Sequence, residues 1–263
     1  MDLAAFMPSV VRIAQHAGER IMAIYNSPEF KIENKGDNSP LTAADLASHH
    51  YIVDSLKQLT PDIPILSEES AKLPYSERAQ WTTYWLVDPL DGTREFIKKN
   101  GEFSVLIALI HNQQAVLGVV HAPALNETWY ASRGQGAFKQ TGNDTQAIKV
   151  SATHKPLRVV GSKSHRDPTM PEFLARIGEH DYQVLGSILK ACWVAEGKCD
   201  LYPRLGPTSE WDTAAAQIIV EEAGGHFLQT DMQPMRYNTK DSLLNPYFFV
   251  FGRDFKDWSR YLL

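Results

Sequence analysis

Three apolar runs, FSVLIALI (103–110), AVLGVVHA (115–122) and ETWYAS (127–132), follow one another with only the short breaks HNQQ and PALN between them. Runs of this length joined by such breaks predict an antiparallel meander. Elements of other kinds surround it. Residues 3–25 place Phe6, Val10, Ile13, Ala17, Ile21 and Ile24 at helical spacing, and Asn26-Ser-Pro ends that helix. The polar stretch KIENKGDNSPLT (31–42) reads as a loop or loose hairpin. A second helix is predicted from near Thr42 to about Leu59, with Thr42 as its N-cap and Asp45 three residues on. Residues 63–66 and 84–87 predict short buried strands.

Beyond about residue 150 the rhythm changes. Strand-like segments at 157–160, 182–185, 199–202 and 248–252 alternate with helical ones at 171–178, 188–197 and 212–223. That pattern predicts an α/β chain in two parts, an α+β half over residues 1–152 and an α/β half over 153–263. With 263 residues, 43% of them hydrophobic, either part has enough apolar side chains for a substantial core. The net charge of −5 and pI near 6.0 give no electrostatic footprint for nucleic acid. A polyanionic small molecule would need metal ions or placed cations. No run approaches ~18 apolar residues, so no membrane span is expected. The N-terminus reads as an amphipathic helix rather than a signal peptide. Cys192 and Cys199 lack metal-site partners and fit a reducing compartment. The expected location is the cytoplasm, with peripheral attachment to the inner face of the membrane left open. The expected state is a monomer or homodimer.

Carboxylates gather near the ends of the predicted elements: Asp45, Glu68-Glu69, Asp88 with Asp91, and Asp212. In DPLDGT (88–93), Pro89 stiffens the chain after a strand and Gly92 lets it turn back, which would aim both aspartates into one cleft. Mg²⁺ takes oxygen ligands, one or two carboxylates per ion with waters, carbonyls and phosphate completing the shell. Each acid also has a structural reading. Asp-Pro and Asp-Gly are turn formers, Asp212 suits a helix start, Asp45 suits a capping box, and Glu68-Glu69 suits a solvated loop.

Taken together, SEES (67–70), WLVDPLDGTREFI (85–97) and EWDTAAAQIIVEEAGG (210–225) resemble the metal-dependent phosphatase family of inositol monophosphatases, fructose bisphosphatases and 3'(2'),5'-bisphosphate nucleotidases. The resemblance implies a layered αβαβα sandwich and hydrolysis of a phosphate monoester with two or three Mg²⁺ ions. It also implies that Glu68, Asp88, Asp91, Asp212 and the Leu90 carbonyl bind metal. Asp45 and Thr93 would orient and deprotonate the attacking water, with Glu68, Gly92, Thr93 and Asp212 also lining the substrate.

The choice of ester falls to GSKSH (161–165), GSILK (186–190) and LYPRLGPTSEWD (201–212). Gly186-Ser187 precedes a helix whose amides would attract an anion, with Lys190 in its first turn and Arg204 after a strand. Either cation alone reads as a solvated surface charge. These blocks resemble those of the bisphosphate nucleotidases more than those of the inositol phosphatases. The resemblance implies that His165, Ser187, Lys190 and Arg204 contact the nucleotide. It implies cleavage of adenosine 3',5'-bisphosphate to AMP, removing a by-product of sulfate activation. Lys163, Ile188 and Ala216 depart from the family's usual Arg, Ser and Gly. Two other readings stand beside this one, an inositol phosphatase of broad specificity and a non-catalytic binder of metal or nucleotide. His49 and His50 are expected to be structural, and Trp85 and Trp211 to pack beneath the metal loops.

Overall fold

The computed structural model describes residues 2–28, 32–34, 40–71, 73–164 and 167–262. Helix α1 (Leu3–Tyr25) is capped by the Asp2 side chain and buries Val10, Ile13, Ala17 and Ile21 on one stripe. The backbone of β1 (Ile32–Asn34) pairs antiparallel with β2 (Pro40–Thr42). Helix α2 (Ala43–Leu59) starts on the predicted capping box. Strand β3 (Ile65–Ser67) begins two residues after the predicted start, because Ile63 still belongs to the turn, its N–H donating to the Thr60 carbonyl at 3.1 Å.

Next come β4 (Thr83–Asp91), β5 (Ser104–His111), β6 (Gln114–Ala122) and β7 (Glu127–Ser132), followed by β8 (Ala137–Thr141) and β9 (Asp144–Ile148). A short α3 (Tyr75–Arg78) precedes β4, and α4 (Thr93–Ile97) follows it. The seven strands β3–β9 form one sheet in chain order, antiparallel except for the parallel β3–β4 pair. The meander is as expected. Strands β8 and β9 were not, because β8 mixes buried and half-buried residues and β9 is almost wholly exposed, which erases the apolar signal.

The second sheet takes β10 (Leu157–Ser162), β11 (His180–Leu185), β12 (Leu201–Arg204), β13 (His226–Gln229) and β14 (Phe248–Phe251), in the order β11-β10-β12-β14-β13. The helices between them are α5 (Met170–Ile177), α6 (Leu189–Ala195) and α7 (Ala214–Glu222). Arg204, expected after a strand, is the last residue of β12. Asp212, expected at a helix start, lies in a separate 3-10 turn (Glu210–Asp212) ahead of α7.

Alternation along β5 assigns the layers. Val105, Ile107 and Leu109 face α1 and α2 in one apolar cluster. Leu106, Ala108 and Ile110 face α6 and α7 in another, which continues to the second sheet through Val160, Tyr202, Phe248 and Val250. On the far side of that sheet, Val159, Leu201, Phe249 and Phe251 pack with Phe173 of α5 and Trp258. The layers therefore run α1/α2, seven strands, α6/α7, five strands, α5, which is the αβαβα sandwich. Helix α7 presses so closely on β6 that a Cβ on Gly118 would sit 2.3 Å from the Ala215 carbonyl oxygen.

Burial pushes the His121 imidazole down to about 4, with Nδ1 2.9 Å from Thr128 Oγ1. His121 is thus neutral in the fold but protonates near pH ~6.5 once unfolded. Its contribution is present above that value and is lost as pH falls toward about 4. Buried Glu210, pushed up to about 7, has the opposite sign and loses stability as pH rises. The expected outcome is that wild type loses about 3 kcal/mol relative to His121→Gln between pH ~6.5 and pH ~4. Urea midpoints of the two proteins at each pH check it.

Candidate active site

Asp88 and Asp91 are three residues apart, and a regular strand would point them to opposite faces. They face the same way because β4 carries an extra residue. Asp88 pairs with Leu106 and Asp91 with Ser104, a register shift that sets two residues against one. Pro89 is tolerated at such a bulge, and its carbonyl accepts from Ser48 Oγ at 2.7 Å. DPLDGT is therefore not a turn after a strand, as its composition suggested. Its first four residues are strand, and the reversal comes at Gly92, with φ of 90°. A Cβ there would lie 3.0 Å from the Glu102 carbonyl oxygen and 3.2 Å from Ser187 Cβ.

Asp88, Asp91, Asp212 and Glu68 line one cleft between the ends of the two sheets. Asp88 is buried, and its Oδ1 accepts from Leu90 N–H at 3.0 Å. Burial, then the charges of Glu68, Asp91 and Asp212, hold its carboxyl well above the ordinary range. Asp212 is raised in the same way by burial, Asp91 and Glu68, against the pull of Ser209 N–H and Arg204. Asp91 is pushed up to about 6 by burial, moderated by Lys190 and by the Ile188 N–H at 2.5 Å from its Oδ2. Among the described residues, no three His, Cys, Asp or Glu side chains close on a common point as a ready-made metal centre. The acids line the cleft instead, with room for waters or phosphate oxygens to complete a cation's shell. An all-oxygen donor set fits a hard divalent cation.

Asp45 and Thr93 are brought together across 48 positions of sequence. Thr93 Oγ1 donates to Asp45 Oδ1 at 3.2 Å and also lies 3.3 Å from the Leu90 carbonyl oxygen. The buried Asp45 keeps its other oxygen on the capping box, accepting from Thr42 N at 2.8 Å and Thr42 Oγ1 at 2.6 Å. Both readings of Asp45, cap and site residue, hold at once.

Lys190 and Arg204 are not solvated. They are 3% and 7% exposed and line the same cleft. Lys190 Nζ donates to the Leu185 carbonyl at 3.1 Å and to the Ser187 carbonyl, and lies 5.3 Å above the Tyr202 ring. Burial pushes it down to about 8, with Arg204 acting in the same direction and Asp91 opposing. Arg204 donates to the Pro207 carbonyl at 2.8 Å, and its Nε is buried with no hydrogen-bond partner. Among the described residues neither cation forms an ion pair. The amides expected free at Gly186-Ser187 are not all free, since the Ile188 N–H goes to Asp91. Ser187 lines the cleft at φ 46°, a left-handed conformation unusual for a residue with a Cβ. His165 lies outside the described residues.

Glu95 also faces the cleft, 2% exposed and with Oε1 unpartnered, and no spacing rule marks it. An acid two residues after DGT, in DGTRE, was its one signal. Trp85 packs on the α1 face of β4, away from the acids, with Nε1 donating to Thr60 Oγ1 at 2.8 Å. Trp211 is half-buried against the inter-sheet core. His49 is structural, its Nδ1 2.8 Å from Ser67 Oγ beside Glu68.

Residues 2–252 match the model of the inositol monophosphatase family. The chain belongs to that family. It is similar to the 3'(2'),5'-bisphosphate nucleotidase CysQ of Escherichia coli K12, with 46% identity over 93% of this chain and 98% of that protein. The Haemophilus influenzae protein of the same name is 37% identical over 95% of this chain and 93% of its own. Among solved structures, CysQ from Bacteroides thetaiotaomicron superposes with a TM-score of 0.86 and 39% identity, covering 97% and 99% of the two chains. An inositol monophosphatase from Thermotoga maritima gives 0.78 and 28%, covering 96% and 93%. Enzymes of the inositol monophosphatase family are metal-dependent, generally on Mg²⁺.

Adding Mg²⁺ at tenfold excess over its dissociation constant to chelator-treated protein is expected to stabilise it by about 1.4 kcal/mol, a shift of several degrees. Asp88→Asn should lose that shift. Thermal melts with and without chelator read both.

Proposed function

We propose that this chain is a Mg²⁺-dependent 3'(2'),5'-bisphosphate nucleotidase that hydrolyses the 3'-phosphate of adenosine 3',5'-bisphosphate to give AMP and phosphate. One observation carries the choice of substrate. Two buried cations, Lys190 and Arg204, share a cleft with the carboxylates yet pair with none of them among the described residues. Buried charge without a partner is costly. A substrate with a second, uncleaved phosphate supplies that partner, whereas inositol 1-phosphate has none to offer. Similarity to the CysQ proteins at 46% identity supports the same choice.

Glu68, Asp88, Asp91, Asp212 and the Leu90 carbonyl are proposed to hold two or three Mg²⁺ ions. Bound there, the ions would neutralise charge on the reacting phosphate and ease deprotonation of water. Thr93 orients the attacking water through its hydroxyl and relays the proton toward Asp45 Oδ1, which Thr42 holds in place through the other oxygen. Water oxygen bonds to phosphorus as the bond to the 3' oxygen breaks on the opposite side, and the 3' oxygen takes a proton from solvent to leave as the hydroxyl of AMP. Lys190, Arg204, Ser187 and His165 hold the 5'-phosphate end, and Gly92 lets the reacting phosphate approach closely. The C-terminal residues 153–263 thus supply Asp212 and the specificity side chains, and residues 1–152 supply the other metal ligands. The proposed setting is the cytoplasm, where the enzyme would clear a by-product of sulfate assimilation as a monomer or homodimer.

Phosphate release from adenosine 3',5'-bisphosphate and from inositol 1-phosphate tests the reading. The bisphosphate should be strongly preferred. Lys190→Ala should lower its kcat/KM about 10–100-fold, and Asp91→Asn should cut kcat about a thousandfold with the fold intact. Equal turnover of both esters, with Lys190→Ala unaffected, would transfer the chain to the inositol phosphatases.

A further inference from the structure

The parallel strands β10 and β11 end side by side at the cleft, with Ser162 opposite Leu185. The loops that follow them carry the specificity segments GSKSH and GSILK. Lys163 N–H donates to the Leu185 carbonyl at 3.2 Å, so the first residue after β10 stays bonded to the end of β11. One side chain from the other sheet reaches both. Glu102, in the loop between α4 and β5, accepts from Lys163 Nζ on Oε1 at 2.6 Å and from Gly186 N–H on Oε2 at 2.7 Å. Lys98, from the same loop, donates to Ser164 Oγ at 2.6 Å.

The fit is close enough to exclude a side chain at Gly186. A Cβ there would lie 2.8 Å from the Glu102 carbonyl oxygen and 2.5 Å from Glu95 Cγ. From Gly186 the chain runs directly into Ser187, into Ile188 with its N–H on Asp91, and into Lys190. The separation between the carboxylates that face the reacting phosphate and the ammonium that faces the other phosphate is therefore fixed at Gly186. Glu102 holds it at Gly186, as Asp91 does at the Ile188 N–H.

We infer that Glu102 is a positioning residue for substrate selection, docking the loops after β10 and β11 onto the carboxylate cleft. The inference rests on the nucleotidase reading. Glu102 acts through Gly186 and Lys163 rather than by touching substrate. A carboxylate that served stability alone would, on removal, reduce activity toward every phosphate ester in proportion to the folded protein lost. A positioning carboxylate moves KM for the substrate with two phosphates and leaves the one-phosphate substrate alone.

Glu102→Ala, Glu102→Gln and Lys163→Met are to be assayed with Mg²⁺ on adenosine 3',5'-bisphosphate and on adenosine 3'-monophosphate, with thermal melts recording the folded fraction. Glu102→Ala should raise KM for the bisphosphate about tenfold with kcat held within about twofold, and leave kcat/KM for the monophosphate within about twofold. Glu102→Gln, whose amide oxygen still accepts from Gly186, should show a smaller rise. Lys163→Met, at a half-exposed side chain, should raise KM about threefold and carries the test if Glu102→Ala does not fold. The inference is overturned if wild type prefers the bisphosphate and the folded variants keep that preference in full, or lose both substrates alike. A wild type that treats the two esters equally removes the nucleotidase reading itself, and the positioning role with it.

Discussion

Glu68, Asp88, Asp91 and Asp212 place like charges around one partly buried cleft, and their mutual repulsion is the constraint on which the rest of the structure depends. Burial and neighbouring acids hold Asp88 and Asp212 well above the ordinary carboxylate range. An arrangement of that kind opposes folding unless cations neutralise it or the surrounding structure is rigid enough to hold it. The chain supplies the rigidity. Three apolar clusters pin the two sheets and their helices into fixed layers, and the acids sit where both sheets end.

Two local devices recur in placing these groups. A capping box joins Thr42 to Asp45, and another joins Ser209 to Asp212. In each, one carboxylate oxygen accepts from the backbone at 2.8 Å. A cap thus orients a reactive side chain at no cost in extra residues. The bulge in β4 does the equivalent for Asp88 and Asp91, restoring the face that a three-residue spacing would have lost.

Opposite the acids, Lys190 and Arg204 are buried by the sandwich itself rather than by ion pairing. Lys190 is held between backbone carbonyls and the Tyr202 ring. Positive charge stored this way is available to an anion, and the carboxylates alongside keep it from being a general anion trap. In the proposed reading, selection of a doubly phosphorylated substrate would depend on distance, set by how residues 98–102 meet the loops after β10 and β11.

Much of the chemistry was legible in the chain. The position of Glu68, Asp88, Asp91 and Asp212 near element ends gathered them as a group, and the resemblance of their segments to the inositol monophosphatase family, rather than their spacing, implied metal binding. Helical and strand periodicity located α1, α2, β5, β6 and β7 closely, because such patterns are local. Strands β8, β9 and β13 went unmarked because half-exposed strands carry little pattern. Composition suggested that DPLDGT was a turn, and left Lys190 and Arg204, each taken alone, readable as surface charges. Only the tertiary structure decided otherwise, since a bulge is defined by the partner strand and burial by the layers packed on either side. Glu95 and Glu102 belong to the same class. No local rule distinguishes a loop carboxylate facing water from one that faces another sheet, because what it faces is set by contacts about eighty residues away in the chain.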